Sequence, residues 1–359
     1  MAGPLECERS DKTEAQSPRA SARNYRRRTK SDRTQRLRRA VQLAFLALNF
    51  WLAFEFCLFV RHFEVPGAAA YARPAGIEGW LPIAGLMNLK YFLSTGEVPL
   101  VHPAAMVLLS AFLLGSLFFR KSFCGWLCPV GTLSEYLWKL GRSTFRRNFS
   151  LPRWLDVALR SLKYLLLALF AYAVGSMPAQ ALGQFLASPY GIVADVKMLN
   201  FFRYMGLTAA SVLAVLVLAS VFVQNFWCRY LCPYGALMGL AALLSPLRIR
   251  RLDTSCIECA KCAKACPAQL PVDTLVQIRS AECTGCLECV TACPSEGALE
   301  LSFAPTRRRV PGWAMGAGAL GLFLALVLLA KATGHWDTPV SDETYRELIP
   351  HAQEFAHPR

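Results

Sequence analysis

Two cysteine motifs of identical spacing limit what this chain can fold into more than any other feature. Residues 256–267 read C-I-E-C-A-K-C-A-K-A-C-P, and residues 283–294 read C-T-G-C-L-E-C-V-T-A-C-P. Each motif is C-x2-C-x2-C-x3-C-P, the spacing with which bacterial ferredoxins hold two [4Fe–4S] clusters. Three thiolates of one loop reach one cluster. The fourth cysteine precedes a proline that turns the chain away, and it ligates the other cluster.

The spacing therefore predicts two crossed ligand sets. The first cluster is assigned Cys256, Cys259, Cys262 and Cys293, and the second cluster is assigned Cys283, Cys286, Cys289 and Cys266. Zinc is disfavoured because zinc sites use separated C-x2-C pairs or mixed Cys/His ligands, and no histidine occurs between residues 103 and 334. A disulfide framework is typical of small secreted domains, not of a long apolar chain.

The composition indicates that several segments lie in a bilayer. Of the 359 residues 54% are hydrophobic, and the mean hydropathy is +0.33. The net charge of +15 suggests a nucleic-acid partner until the basic residues are located. Twelve of the 39 Lys and Arg lie in the first 39 residues, and most of the others flank apolar runs. This is the pattern of a membrane protein, so we expect a membrane and no nucleic acid as partner.

About five transmembrane helices are predicted, together with one shorter amphipathic stretch at residues 80–93 that we expect to be interfacial or re-entrant. The apolar segments are 40–60, 102–119, 160–178, 204–226 and 311–330. With this assignment 29 Lys and Arg fall on one side of the membrane and 8 on the other. The positive-inside rule then predicts that the N-terminus and the ferredoxin unit are cytoplasmic and the C-terminus is periplasmic.

The predicted fold is an α-helical membrane protein with an internal repeat and a small α+β ferredoxin domain of the bacterial 2[4Fe–4S] type. The predicted units are a disordered basic tail at 1–39, a four-helix membrane region at 40–247, the ferredoxin domain at 248–305, a last membrane helix at 306–331 and a short periplasmic tail at 332–359.

The internal repeat is seen at the ends of the second and fourth predicted spans. Residues 123–133 read F-C-G-W-L-C-P-V-G-T-L, and residues 227–237 read W-C-R-Y-L-C-P-Y-G-A-L. Pro129 and Pro233 suit the first position of a helix, which would place Cys128 and Cys232 at helix N-termini where thiolates are favoured.

The repeated cysteines have several possible uses. They are Cys124, Cys128, Cys228 and Cys232. The four thiols could ligate a metal, hold a further iron–sulfur centre or form redox-active pairs. They could also be buried small hydrophobic side chains, as free cysteines often are.

The combination of C-G-W-L-C-P, W-C-R-Y-L-C-P-Y-G-A and the double C-x2-C-x2-C-x3-C-P unit resembles the NapH/NosR-type polyferredoxin membrane proteins. The resemblance covers about residues 40–305, extends to the FixG/RdxA-type proteins, and is strong for the short YccM-type electron-transport members. It implies a bacterial inner-membrane protein that transfers electrons, often from the quinone pool. The eight ferredoxin cysteines carry over as cluster ligands, and the other four as the C-x3-C-P cysteines of the family.

The resulting hypothesis is a membrane component, not a stand-alone enzyme, that passes single electrons through two [4Fe–4S] clusters to or from a redox partner. Glu55, His62 and His102 are candidates for proton-accepting groups of a quinol site. Seven acidic against three basic residues in 252–302 could suit a basic partner or simply be solvated. Two alternatives stay open: a copper-handling or copper-reducing assembly factor, because soft thiolates suit Cu(I), and a redox-sensing regulator.

Overall fold

The computed structural model describes residues 26–28, 33–146, 149 and 151–357. Most of the tail predicted at 1–39 therefore lies outside the described residues. The first helix begins at Thr34, so the predicted boundary at residue 39 falls inside that helix. Arg27, within the predicted tail, forms an isolated β-bridge with Ser295 of the ferredoxin unit. The predicted boundary misses this contact because it depends on a partner 268 positions further along the chain.

The described residues are mainly helical. The helices are α1 Thr34–Glu64, α2 Pro82–Thr95, α3 Pro103–Phe119, α4 Pro129–Phe145, α5 Arg153–Ser176, α6 Ala179–Leu186, α7 Pro189–Ile192, α8 Ala194–Arg203, α9 Leu207–Phe222, α10 Pro233–Leu243, α11 Lys261–Lys264, α12 Glu288–Ala292, α13 Gly312–Ala332 and α14 Asp342–Leu348, and the strands are β1 Leu247–Arg251 and β2 Leu299–Phe303.

Three of these helices are long and apolar enough to cross a membrane: α1, α5 and α13. A fourth candidate is the pair α8 and α9, which is bent by 83° at Tyr204–Gly206. The helix α3 is apolar but has only 17 residues, and most of them are buried, because α2, α10 and α13 all pack against it. The described part of the chain thus has three or four candidate spans where the sequence predicts about five.

The ferredoxin unit forms a small α+β domain at one end of the helices. We call this end of the helices the ferredoxin face and the opposite end the far face. Strands β1 and β2 pair antiparallel, from Leu247 opposite Phe303 to Arg251 opposite Leu299. Alternate side chains of the hairpin, such as Ile249 and Leu301, are buried towards the cysteine loops. The hairpin thereby closes one side of the domain.

The two C-x3-C-P segments have the same local structure and pack in a crossed manner. A π-helical turn, Phe123–Leu127 or Trp227–Leu231, precedes each proline, and the proline opens α4 or α10. The helix α4 packs against α9, and α10 packs against α3, so each short helix lies on the apolar helix of the other segment. This crossing brings the two cysteine pairs together.

The helix α13 approaches the bundle closely through a glycine. A Cβ on Gly316 would clash with the indole of Trp126, which is fully buried and donates a hydrogen bond to the Gly285 carbonyl at 3.1 Å. A Cβ on Gly321, in the same helix, would meet nothing within 4 Å. The indole cannot move without losing its hydrogen bond. Of these two positions, glycine is therefore required at 316 and not at 321.

We therefore expect Gly316→Ala to destabilise the protein by about 1–3 kcal/mol, the usual cost of overpacking. Gly321→Ala is the matched control and should be neutral or slightly stabilising, because alanine favours a helix over glycine. Denaturation midpoints of the two variants in mixed detergent micelles measure the difference. Equal midpoints would contradict the close packing of α13 on Trp126.

Candidate iron–sulfur and thiol site

The two ferredoxin loops share a backbone conformation suited to wrapping an anionic group. Glu258 and Ala260 have φ of 53° in the first loop, and Gly285 and Leu287 have φ of 64° and 58° at the equivalent positions of the second. Left-handed residues alternating with ordinary ones turn successive amide groups into a concave nest that binds anions. The side chains at 258, 260 and 287 carry a Cβ, so this strained conformation is held by the surrounding structure.

The fourth cysteine of each motif lies among the first three of the other motif. The Cys293 thiol is within electrostatic range of the thiols of Cys256, Cys259 and Cys262. The Cys266 thiol has the same relation to Cys283, Cys286 and Cys289. The fold thus places the fourth cysteine of each motif near cysteines of the other motif, and the assignment of ligands to each cluster stays a prediction.

The two sets differ in exposure. All four cysteines of the second set are less than 10% exposed, whereas Cys259 of the first set is exposed and its three companions are half-buried. Burial raises the pKa of the Cys266 thiol to about 11 and that of Cys286 to about 12. Thiolates at these buried positions therefore need bound cations, as the irons of a cluster would supply.

The arrangement differs from a mononuclear zinc site and from a disulfide framework. Within the described residues no three His, Cys, Asp or Glu side chains are close enough to bind one ion, whereas zinc needs ligands about 2.3 Å from a single point. All thirteen cysteines in the described part of the chain are free thiols. Four thiols supplied by two such loops are the donor set that a four-iron cluster takes, so the residues present fit that group.

Cys128 and Cys232 lie at helix N-caps, as predicted. The Cys128 sulfur accepts a hydrogen bond from the Gly131 amide at 3.4 Å, and the Cys232 sulfur accepts one from the Gly235 amide at 3.2 Å. A Cβ on Gly131 would clash with the Cys124 carbonyl, which explains the glycine in the first segment. The sequence did not predict the π-helical turns between the paired cysteines.

The four C-x3-C-P cysteines, here called the four-thiol set, converge on one place. The Cys228 thiol is within electrostatic range of Cys232, Cys128 and Cys124. Tyr234 lies beside three of the four thiols. Because the two pairs are 104 positions apart in the chain, only the crossed packing of α4 and α10 unites them.

A cavity of about 820 Å³ joins the four-thiol set to the far face. Its ferredoxin end contains the four thiols and Cys286. Its apolar wall includes side chains of α1 and α13, and Leu48 and Leu324 both line it while being 44% and 46% exposed. The cavity therefore reaches the outer surface of the bundle between these two helices. Its far end is lined by polar side chains that include Glu55 and Arg73.

Of the three candidate proton acceptors, only Glu55 lines this cavity. His62 instead hydrogen-bonds the Ala68 carbonyl at 2.8 Å and packs against Phe63. His102 is buried, with Nε2 at 2.9 Å from the Gly191 carbonyl and Nδ1 at 3.3 Å from Glu78.

A buried ion network that the sequence did not predict surrounds His102. Arg73 donates to Glu78 at 2.7 Å and to Asp195 at 2.6 Å, and its guanidinium also lies 3.2 Å from His102 Nδ1. Glu78 and Asp195 are fully buried, so these charges compensate one another. The network fixes the far end of the cavity, because Arg73 itself lines it.

A second network holds the ferredoxin unit on the helices. Arg38, 1% exposed, forms two hydrogen bonds to Glu135, at 2.5 and 2.9 Å, and one to Glu288 at 2.8 Å. Gln35 donates to the Cys286 carbonyl at 2.8 Å. Since Glu288 lies between two cysteines of the second set, α1 directly positions that set.

Further contacts from the helices reach the same domain. Arg120 donates to the carbonyls of Ile278 and Ser280, at 3.2 and 2.9 Å, and Lys163 binds both carboxylate oxygens of Glu282, at 2.7 and 2.6 Å. Glu282 and Glu288 belong to the acidic excess of residues 252–302. Two of its seven carboxylates thus pair with basic residues of this same chain.

The network at Glu135 predicts a pH dependence. Burial raises the pKa of the Glu135 carboxyl, but Arg38 and Lys139 lower it by more, so the pKa lies below the ordinary value of about 4.3. The folded-state pKa is depressed, so this stabilisation is present above the unfolded-state pKa and is lost as the pH falls through the folded-state value. The unfolding free energies of the native protein and Glu135→Gln should differ most at neutral pH and converge as the pH falls from the unfolded-state pKa through the lower folded-state pKa. Denaturant titrations over that range check the result; a difference independent of pH contradicts it.

Comparison with known proteins identifies both parts of the site. A 4Fe-4S binding domain model matches residues 101–151 and 205–251, and a 4Fe-4S dicluster domain model matches residues 248–294. Each match of the first model contains one C-x3-C-P pair, and the second covers all eight ferredoxin cysteines.

Three relatives show how far the similarity extends. The YccM protein of Escherichia coli (strain K12), which is designated a candidate electron transport protein, is 52% identical over 326 residues, 89% of this chain and 91% of that protein. Ferredoxin-type protein NapH of Haemophilus influenzae is 27% identical over 165 residues, 46% of this chain and 52% of that one. Regulatory protein NosR of Pseudomonas aeruginosa is 32% identical over 152 residues, 42% of this chain and 20% of that one.

No solved structure matches the chain significantly. The YccM match covers nearly the whole of both proteins. The residues matched by the two family models include the loops, the prolines and the cysteines described above. On this evidence the chain belongs to the NapH/NosR-type family of 4Fe-4S polyferredoxin membrane proteins.

Proposed function

We propose that this protein transfers single electrons between a quinol in the membrane and a redox partner protein, through two [4Fe–4S] clusters on the cytoplasmic face. The observation that carries the proposal is the cavity, whose apolar wall opens between α1 and α13 and whose inner end contains Cys286. A lipid-soluble molecule can enter through such an opening and reach the buried ligand set. The designation of the YccM relative as an electron transport protein supports the same reaction class.

The ligand sets of this proposal are the crossed ones. The first cluster takes the three cysteines of the first motif with Cys293, and the second takes the three of the second motif with Cys266. When bound, each cluster supplies a centre that accepts and releases one electron. The chain's own residues hold the sulfurs in place, exclude water from the second set and leave Cys259 of the first set at the surface.

The exposure difference suggests an order of transfer. The buried second set lies beside the cavity and so would exchange electrons with the quinol side. The first set, with its exposed Cys259, would exchange electrons with a partner protein. Each quinol oxidised to quinone releases two electrons, passed one at a time, and two protons; Glu55 is placed to accept one of those protons in the cavity.

The proposed topology has five membrane crossings, formed by α1, α3, α5, α9 and α13, in a bacterial inner membrane. The N-terminus and the ferredoxin unit would be cytoplasmic and the C-terminus periplasmic, in agreement with the distribution of Lys and Arg. The match of one family model to residues 101–151 and again to 205–251 supports an internal repeat.

The proposal is tested by blocking the cavity from the lipid side. Leu48→Trp should obstruct the opening and lower the rate at which a short-chain quinol reduces the clusters, by roughly tenfold, or about 1.4 kcal/mol. Leu43→Trp is the matched control, since Leu43 is 50% exposed on the same helix but does not line the cavity. Anaerobic stopped-flow absorbance of the purified protein measures the rate. Equal rates in both variants, or no reduction by quinol in the native protein, would refute the quinol link.

A further inference from the structure

Lys121 is a buried cation that faces the four-thiol set. The residue is only 4% exposed, and it lines the cavity together with the four thiols. Its ammonium is within electrostatic range of Cys124 and Cys228. Among the described residues it has no hydrogen-bond or ion-pair partner. The nearby Glu282 has both carboxylate oxygens bonded to Lys163. Lys121 is also within electrostatic range of Glu282, so one carboxylate faces the two buried ammonium groups of Lys121 and Lys163. The excess of buried positive charge is costly unless a further anion lies beside it.

Burial raises the pKa of the Cys124 thiol to about 11 and that of the Cys128 thiol to about 12, so these thiols are neutral unless positive charge lies beside them. Cys128 and Cys232 cap the N-termini of α4 and α10, helices of 17 and 11 residues, and each sulfur accepts an amide hydrogen bond. The partial positive charge at a helix N-terminus favours a thiolate over a thiol. Two helix ends and one lysine thus face the same four sulfurs, an arrangement that buried, uncharged cysteines would not need.

Four thiolates in one place need more positive charge than Lys121 and two helix ends supply, so they need a metal. A single ion does not fit the spacing, because no three metal-binding side chains in the described residues are close enough for one ion. The eight ferredoxin cysteines likewise form no group of three that could bind one ion. Each segment matched by the 4Fe-4S binding model contains only two of the four thiols, so both segments must contribute to one centre.

We propose that the four-thiol set ligates a third iron–sulfur cluster, and that Lys121 is the cation that balances its negative charge. The cluster would lie at the inner end of the cavity, between the quinol and the second ferredoxin set, whose Cys286 lines the same cavity. This role rests on the proposed electron transfer, whereas the existence of the centre does not. In that role it accepts one electron from the quinol side and passes it to the second set.

The first test is the metal content of protein purified without oxygen. Native protein should hold more iron and sulfide than the eight atoms of each that two cubanes account for. The double variant Cys124→Ala/Cys228→Ala should fall to eight and keep the EPR signals of the two ferredoxin clusters. Cys57→Ala, which removes an exposed cysteine outside both sets, should leave the native count unchanged.

Three results would overturn the inference. The first is a count of eight irons in both the native protein and the double variant, and the second is stoichiometric copper or zinc that is lost on the double substitution. The third is alkylation mapping that finds disulfides between these thiols. Fewer than eight irons in the double variant, with ferredoxin signals lost, would overturn it as well, because the thiols would then serve the ferredoxin fold. Failure of the electron-transfer proposal looks different: all the iron is present but quinol does not reduce it.

A second test concerns Lys121. Because a nearby positive charge stabilises the reduced, more negative form, Lys121→Met should shift the reduction potential of the third centre to more negative values. Lys121→Arg keeps the charge, so the reduction potential of the third centre should stay close to its native value. The potentials of the two ferredoxin clusters should not change in either variant. EPR-monitored redox titration measures the reduction potentials of all three centres. Unchanged potentials for the third centre in Lys121→Met would show that Lys121 does not balance its charge.

Discussion

Cys266→Ala is expected to abolish the cluster of the second motif and to spare that of the first, although Cys266 belongs to the first motif. Its thiol lies among those of Cys283, Cys286 and Cys289, and it is 9% exposed, so no water-exposed ligand can readily replace it. The variant should lose the four irons of one cubane. In EPR of the reduced protein, the spin–spin interaction between paired clusters should disappear and leave the signal of one isolated cluster.

Cys293→Ala is the reciprocal variant and should remove the first cluster only. Because the second set is buried and the first is partly exposed, the surviving clusters should differ in access to a water-soluble reductant. The cluster left in Cys266→Ala should react faster than the one left in Cys293→Ala. Cys57→Ala should keep both clusters. Loss of both clusters in each variant would indicate cooperative folding of the unit, and loss of the cluster of the variant's own motif would refute the crossed ligand sets.

The conformation of the two cysteine loops could be predicted from the sequence because the information is local. A C-x2-C-x2-C-x3-C-P loop specifies its own turn, and the loops adopt left-handed residues at matching positions, 258 and 260 in one and 285 and 287 in the other. The same holds for Pro129 and Pro233, whose fixed φ opens a helix and puts a cysteine at each N-cap. Short-range stereochemistry decides these features.

The convergence of the four thiols could not be predicted in the same way. It depends on α4 packing against α9 and α10 against α3, contacts between segments about a hundred residues apart. Lys121 gave no signal either, since an Arg-Lys pair after an apolar run is the ordinary mark of a membrane helix end. The role of Lys121 depends on its burial beside the four thiols, where it is only 4% exposed. This burial can be seen only in the packed structure.

The acidic excess of the ferredoxin unit shows how a composition argument can point to the wrong contact. Counted along the sequence, seven carboxylates could form a docking surface for a basic partner. In the structure Glu282 binds Lys163, and Glu288 binds Arg38 and Lys139, so part of this charge attaches the domain to its own helices. The sign and number of the charged residues can be read from a sequence, whereas the direction in which each charged side chain points cannot.

Arg38→Gln should detach the ferredoxin unit from the helices more effectively than any other single change on this face. The guanidinium binds Glu135, Glu288 and the Gly125 carbonyl at once, and its side chain is 1% exposed. Removing one partner of a buried ion pair costs about 3–5 kcal/mol, because the carboxylates stay buried without compensation. Lys139 still contacts both carboxylates, so the lower end of that range applies here. Arg38→Lys should retain little of this stability, since an ammonium group cannot reproduce the planar fork of donors of a guanidinium.

Two measurements separate detachment from general unfolding. Limited proteolysis at the connections to the ferredoxin unit should be faster in Arg38→Gln, while the EPR signals of its two clusters persist because no ligand has changed. Quinol-driven reduction of those clusters should slow, since Gln35 and Arg38 of α1 hold the second set beside the cavity. The control is Arg39→Gln, one residue along on the exposed side of α1, where the side chain bonds only the Gln35 carbonyl among the residues that the structure describes. If the two variants were cleaved and reduced at equal rates, the ion network would not be what couples the ferredoxin unit to the membrane helices. The coupling would then rest on the other contacts, among them those of Arg120, Lys163 and Trp126.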